Sequence, residues 1–367
     1  MRLTDLSVTG WRNLADTRIV CDAPLVVVHG DNGHGKSNLL EAVHLLGTLK
    51  SFREPRARRW ICHEADGARV SGTVRSTMGQ RKLDWRWGEG GRRLEMDGSL
   101  CHDLNDWFEV LRAIAFCPED AAIVRGEPER RRRFMDRAAF NAWPKHLLAV
   151  TEFKRVLNHK RALLGERYVD PVQLDVFDAA FARTAATVVV GRVKVVEDLK
   201  NAFEPMHRAI AGTGKVDIAV RVSGLGSIQS LDETEIEARF RDEIAANRSA
   251  EMERRTVLVG PHRDDLVLTI DGKLARNFAS QGQARSVVLG LKLAELDAAH
   301  RRDVVPMFLL DDLTSELDQG RRERLVEVLG TLQGQVWVTT TDAKYLGDLA
   351  GSEYLKLRVE QGRMIPE

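Results

Sequence analysis

The chain has 367 residues, 43% of them apolar and 30% charged, enough for a large core and for more than one lobe. With 55 Lys and Arg against 54 Asp and Glu the net charge is +1, so any nucleic-acid surface has to be local rather than global. Cys21, Cys62, Cys101 and Cys117 are scattered without a C-x-x-C pair, the start MRLTDLSV carries no signal pattern, and no apolar run approaches the ~20 residues that cross a bilayer. A disulfide framework, a zinc site and a membrane span are excluded on this reading, and a reducing, cytoplasmic location is expected.

In chain order, Leu3, Leu6 and Val8 alternate with polar residues, TRIVCD follows, and LVVVHG is the continuous apolar run of a buried strand. It stops at Gly30–Asp31–Asn32–Gly33–His34–Gly35–Lys36–Ser37, which fits G-x-x-x-x-G-K-[ST], with Asn38 next. Beyond it Leu39, Leu40, Val43, Leu46 and Leu49 recur on one helical face. Each part of this pattern has a phosphate-binding reason. Glycines let backbone N–H groups turn inward, Lys36 offers a cation to β- and γ-phosphate oxygens, Ser37 offers a hydroxyl to Mg²⁺, and the helix start adds its dipole.

ARVSGTVRS, RKLDWRWGE and RRLEMDGSL predict a β-meander with glycine-rich turns. From about Arg125 to Ile210 the periodicity is helical, and AGTGK then breaks it. A short alternating segment (VDIAVRVSG) and an acidic helix (DETEIEARFRDEIAANRSAEMERR) come next. Strand patterning resumes in TVLVGPHRDDLVLTIDGKL, where IDGK is a hairpin turn. The expected architecture is α/β. A discontinuous P-loop lobe, residues 1–125 and 256–367, would carry a mostly helical insert over 126–255.

A nucleotide on such a loop needs a carboxylate at the end of a buried strand to hold its metal. Met307–Leu310 is apolar and is followed by Asp311, the magnesium-side candidate, and Asp312, the candidate base that orients water. Ser280–Gln281–Gly282–Gln283 opens a strongly apolar helix and is a second anion-receptive helix start. One nucleotide does not need both from the same subunit, whereas two chains placed head to tail would use each other's.

The order P-loop, S-x-G-Q before a helix, then LLDD…SELD resembles the ABC-type ATPase head in its DNA-repair and chromosome-maintenance branch. The insert has no sustained heptads, so no long coiled-coil arm is expected. GWRNL (Gly10–Leu14), KSFRE (Lys50–Glu54), FCPEDAAIVRGEPERRRRFMD (Phe116–Asp136) and GPHRDDL (Gly260–Leu266) are similar to strings of the bacterial RecF family. The resemblance implies ATP and Mg²⁺ as cofactors and an ATP-dependent homodimer, with Ser315 and Asp318 of SELD as dimer contacts. It further implies duplex DNA and single-strand/double-strand junctions as ligand, RecR and RecO as partners, and RecA loading in replication, gap repair and the SOS response.

Three departures from the family pattern of ABC heads stand out. The second acid is Asp312 rather than Glu, Thr341 stands where a switch histidine is expected, and Glu119 is the nearest substitute for the Q-loop glutamine. Together they imply a weak ATPase that works as a switch, with Lys36 and Asp312 as its catalytic pair. The basic runs nominate Arg53, Arg56, Arg130, Arg131, Lys154 and Arg155 for DNA, an assignment that rests on the resemblance more than on charge. The competing classes are a soluble ABC ATPase subunit of a transporter, which normally has LSGGQ and the histidine, and a metabolic P-loop kinase, which needs no S-x-G-Q.

Overall fold

The computed structural model describes every residue except 77–78, 227, 229–230, 313–317 and 342–353. In the first part of the chain the strands are β1 (Arg2–Thr9), β2 (Thr17–Val20), β3 (Leu25–His29), β4 (Ala68–Ser76), β5 (Gly79–Gly88), β6 (Gly91–Met96), β7 (Ser99–Leu100) and β8 (Ala113–Phe116). Helix α1 (Lys36–Thr48) follows β3, and α2 (Leu104–Val110) precedes β8. The insert carries α3 (Ala122–Arg125), α4 (Pro128–Ala142), α5 (His146–Gly165), α6 (Pro171–Ala211), β9 (Val216–Arg221), α7 (Glu233–Arg254), β10 (Asp265–Ile270), β11 (Lys273–Leu274) and α8 (Ala275–Phe278). The chain then continues through α9 (Gln281–His300), β12 (Met307–Leu310), α10 (Gln319–Thr331), β13 (Val336–Thr340), β14 (Tyr354–Glu360) and β15 (Arg363–Pro366).

These elements group into two units: residues 1–120, 206–213 and 281–367, and residues 121–205 and 214–280. The first unit has two six-stranded sheets. The expected meander is there, in the antiparallel order β2-β1-β4-β5-β6-β7. The second sheet runs β15-β14-β3-β13-β12-β8, parallel from β14 to β8, with β15 antiparallel at one edge. Helix α1 packs on β4 of the first sheet and on β8, β12 and β13 of the second. It is therefore buried on nearly its whole circumference, and not on the single apolar face that its leucines predict, since a sheet covers each side. Gly47 permits this: a Cβ there would sit 2.6 Å from that of Ala113 on β8. Gln335 links the sheets. Its amide accepts from Leu3 N–H at 3.0 Å and donates to the carbonyls of Leu3, Cys21 and Ala23 at 2.7–3.0 Å.

The second unit is built around Phe153, Leu164, Phe181, Val188, Phe240 and Ile244, drawn from α5, α6 and α7. A three-stranded antiparallel sheet, β11-β10-β9, packs with α4. The IDGK turn is a two-residue hairpin between β10 and β11, with Asp271 at φ 49° and Gly272 at φ 75°. Residues 256–280 thus belong to this unit, and the boundary expected near 255 lies at Ser280. The reason is register: Asp265–Ile270 pairs along its length with Val216–Arg221. The TVLVG segment expected to open a strand has no strand before Asp265. Among the described residues no helix is long and apolar enough to cross a membrane.

Candidate active site

β3, β13, β12 and β8 run parallel, so their carboxyl ends meet along one sheet edge, where ligands of open α/β sheets bind. The loop leaving β3 turns at Gly30 (φ 139°), where a side chain would strike the Val359 carbonyl. Gly35 (φ 112°) precedes α1, and a Cβ there would come 2.6 Å from Leu14 and 3.1 Å from the Asn13 oxygen. No side chain caps α1 and no acid sits in its first turn, so its leading N–H groups are left for an anion.

Lys36 Nζ folds over this loop and donates to the Gly30 and Asp31 carbonyls at 2.7 and 2.9 Å. Burial pulls its ammonium below the usual range, while Asp312, Asp311 and Asp31 favour the charged form. Ser37 Oγ donates to Asp311 Oδ1 at 2.8 Å, and Thr339 Oγ1 donates to the same oxygen at 2.8 Å. Burial raises the Asp311 carboxyl above its ordinary value, and the hydroxyls of Thr339 and Ser37 oppose that rise. Asp312 follows at φ 54°, and its N–H donates to Thr339 Oγ1 at 2.8 Å. A hydroxyl and a carboxylate this close form a hard-oxygen pair of the kind magnesium takes together with phosphate oxygens.

The cleft above these groups holds about 740 Å³, a fit for a nucleotide. Besides the loop, its lining includes Arg12, Asn13, Arg53, Glu54, Ile61, Glu119, Asp312 and Thr339. The Arg12 guanidinium forks onto buried Glu41 at 2.9 and 2.7 Å, and Ser51 donates to the same carboxylate. Asn13 Nδ2 donates to the Gly33 carbonyl at 3.0 Å and Asn13 Oδ1 accepts from Asn38 at 2.6 Å. Beneath lie three indoles, Trp11, Trp60 and Trp85, with ring centroids 5.7–5.8 Å apart. Trp11 donates to the Asn38 carbonyl at 3.0 Å and Trp60 to the Glu54 carbonyl at 2.7 Å.

The structure brings the P-loop, Asp311 and Asp312 together, and Glu119 joins them from the turn after β8. Gln281, Gly282 and Gln283 start α9 and do not line this cleft; Ser280, just before them, is exposed and belongs to the second unit. Arg321 reaches Gly282, where a Cβ would meet its guanidinium at 2.6 Å. Asp318 caps α10, its carboxylate accepting from Arg321 N–H at 3.0 Å. Ser315 lies outside the described residues. Thr341 directly follows β13 and is exposed.

One of the DNA candidates is corrected. Arg131 is buried, with its Nε donating to Asp265 at 2.6 Å, so it offers no charge to a phosphate backbone. Arg53 is exposed at the cleft mouth, donating to Asn38 Oδ1 at 3.2 Å. Arg56, Arg130 and Lys154 are exposed, and Arg155 is exposed but paired with Glu152 at 2.7 Å. Arg12, Asn13, Glu54, Ile61 and Thr339 escape a motif search. Arg12 and Asn13 sit inside GWRNL and Glu54 ends KSFRE, strings marked only by their likeness to the family.

A family model described as RecF/RecN/SMC N terminal domain matches residues 2–364. The DNA replication and repair protein RecF of Anaeromyxobacter sp. (strain Fw109-5) is 36% identical over 370 residues, covering 100% of this chain and 99% of that protein. RecF of Geobacter sulfurreducens is 35% identical over 370 residues, covering 100% of both. The solved structure of the recombination mediator protein RecF-ATP in the RecFOR pathway has a TM-score of 0.90 at 26% identity, over 100% of this chain and 97% of that one. An Smc head domain from Pyrococcus furiosus, with a TM-score of 0.56 at 15% identity, shares the fold alone. With its P-loop ABC-type ATPase head and mostly helical insert, the chain belongs to the RecF family of DNA replication and repair proteins.

Proposed function

We propose that this protein is an ATP-gated, DNA-binding recombination-repair protein, a weak ATPase that uses nucleotide as a switch for dimerisation. One observation carries the reading. The cleft offers a phosphate loop and an oxygen pair for a metal, while a second anion-receptive helix start, Gln281–Gln283, takes no part in its lining. The family pattern assigns Ser280 and Gly282 to the nucleotide of another copy. Lys36 would exchange the Gly30 and Asp31 carbonyls for β- and γ-phosphate oxygens, and the α1 N–H groups would hold the β-phosphate. Ser37 and Asp311 would hold Mg²⁺, which neutralises charge on the bridging phosphate oxygens.

Asp312 would orient the attacking water. Its carboxylate is one methylene shorter than glutamate, which suits slow turnover and a long-lived closed state. Exposed Arg53, Arg56, Arg130, Lys154 and Arg155 would supply sequence-independent contacts to duplex DNA near a gap. Ser315 and Asp318 would meet the other subunit. RecR and RecO as partners, RecA loading, a role in the SOS response and a cytoplasmic location follow from the family and complete the proposal.

The test is the light-scattering mass of Asp312→Asn with and without ATP and Mg²⁺, each with and without a gapped duplex. Mass should double only with ATP, and Ser280→Arg should bind ATP yet stay monomeric. A monomer in every condition would sink the shared site.

A further inference from the structure

We propose that Thr339 is a positioning residue for ATP turnover, a single hydroxyl that sets the metal-side acid and the water-side acid relative to one another. The inference rests on the nucleotide reading of the cleft given above. Thr339 lies on β13, one strand over from the two acids, and is fully buried while still lining the cleft. Its Oγ1 donates to Asp311 Oδ1 and accepts from Asp312 N–H, both at 2.8 Å. One atom therefore addresses the side chain of one acid and the backbone of the next.

The backbone contact matters because Asp312 sits at φ 54°, a left-handed conformation that aspartate tolerates better than most residues and that a fixed acceptor for its N–H helps to hold. The side-chain contact matters because Ser37 shares the same Asp311 oxygen. If Ser37 turns its oxygen toward a metal, Thr339 still donates to Asp311 and keeps it aimed. A valine has the same shape and no hydroxyl. It would leave the Asp312 N–H without this acceptor and let Asp311 rotate, with the P-loop unaltered.

The experiment compares Thr339→Val and Thr339→Ser with the wild-type full chain. Fluorescent ATP binding is measured in EDTA and across a Mg²⁺ titration, alongside steady-state phosphate release and apo melting. Thr339→Val should bind nucleotide in EDTA within about twofold of wild type. It should need about tenfold more Mg²⁺ for half-maximal effect and turn over about 10- to 100-fold more slowly, the usual range for losing a group that orients a metal ligand. Thr339→Ser should restore both. If the valine variant does not fold, Thr339→Cys, a weak donor, should fall between wild type and that range. Wild-type Mg²⁺ dependence and turnover in Thr339→Val, or in Thr339→Cys where that stands in, would overturn the assignment alone. Absence of Mg²⁺-dependent turnover in the wild type would overturn the nucleotide reading and this inference with it.

Discussion

Charge is buried around the P-loop of the first unit and inside the second, and the two places do opposite things with it. Around the P-loop, Lys36 and Asp311 are held by a few hydrogen bonds each; Lys36 keeps one side toward the cleft, and Ser37 and Thr339, which donate to Asp311, line it. In the second, charges close on one another. Arg192 bonds Asp136 at 2.8 and 3.0 Å, Asp264 at 2.9 Å and the Pro261 carbonyl at 2.6 Å. Burial alone would raise the Asp136 carboxyl, but Arg192 and His146 hold it well below the usual range. Lys160 lies 2.7 Å from both Asp178 and Glu251. The same residue types serve a ligand in one place and specify a fold in the other, depending on whether the remaining coordination is supplied by protein.

The sharpest way to break this contrast is Arg192→Met, which strands two buried carboxylates. It should cost about 3–5 kcal/mol in denaturant titration, with nucleotide affinity of the folded fraction unchanged. Lys36→Ala should do the reverse, lowering ATP affinity about 100-fold, or roughly 2.7 kcal/mol, while apo melting stays near wild type.

His262 gives a smaller effect. Burial beside Phe153 and Phe181 pushes its pKa down to about 4 from the model-peptide 6.5. The unfolded chain therefore binds this proton first, so the stability due to neutral His262 is whole above pH 6.5 and is lost as pH falls toward 4. Allowing for partial exposure, His262→Gln should flatten that acid-side slope by about 1–2 kcal/mol in pH-dependent melts. Smallest, Arg130→Ala should reduce the log–log salt slope of duplex binding by about 0.9 without changing stability. Arg131→Ala should instead show its effect in melting.

The site was legible where its residues are contiguous. Gly30–Ser37 and Asp311–Asp312 carry their chemistry in local strings between a strand and a helix or turn. What stayed hidden depends on packing. Four arginines in a row read as one basic patch, yet on a helix they point about 100° apart, so Arg131 meets Asp265 while Arg130 and Arg133 face solvent. Arg12 and Asn13 reach the cleft only because β1 ends beside the P-loop, and no spacing announces that. The 256–280 segment reads as a continuation of the strand-rich lobe, and only its pairing with β9 assigns it elsewhere. Thr339 is one of two adjacent threonines in the strand VWVTT, where β-propensity alone already accounts for both.

The three indoles beneath the cleft give the molecule its own optical gauge. At 5.7–5.8 Å their transitions couple, so the circular dichroism of the cluster depends on mutual tilt as well as on each ring. Trp11 is tethered to the first turn of α1 and Trp60 to Glu54 at the cleft wall. A ligand that draws those two segments together would change the angle between the rings, and near-ultraviolet circular dichroism of the unlabelled protein is where that change would show.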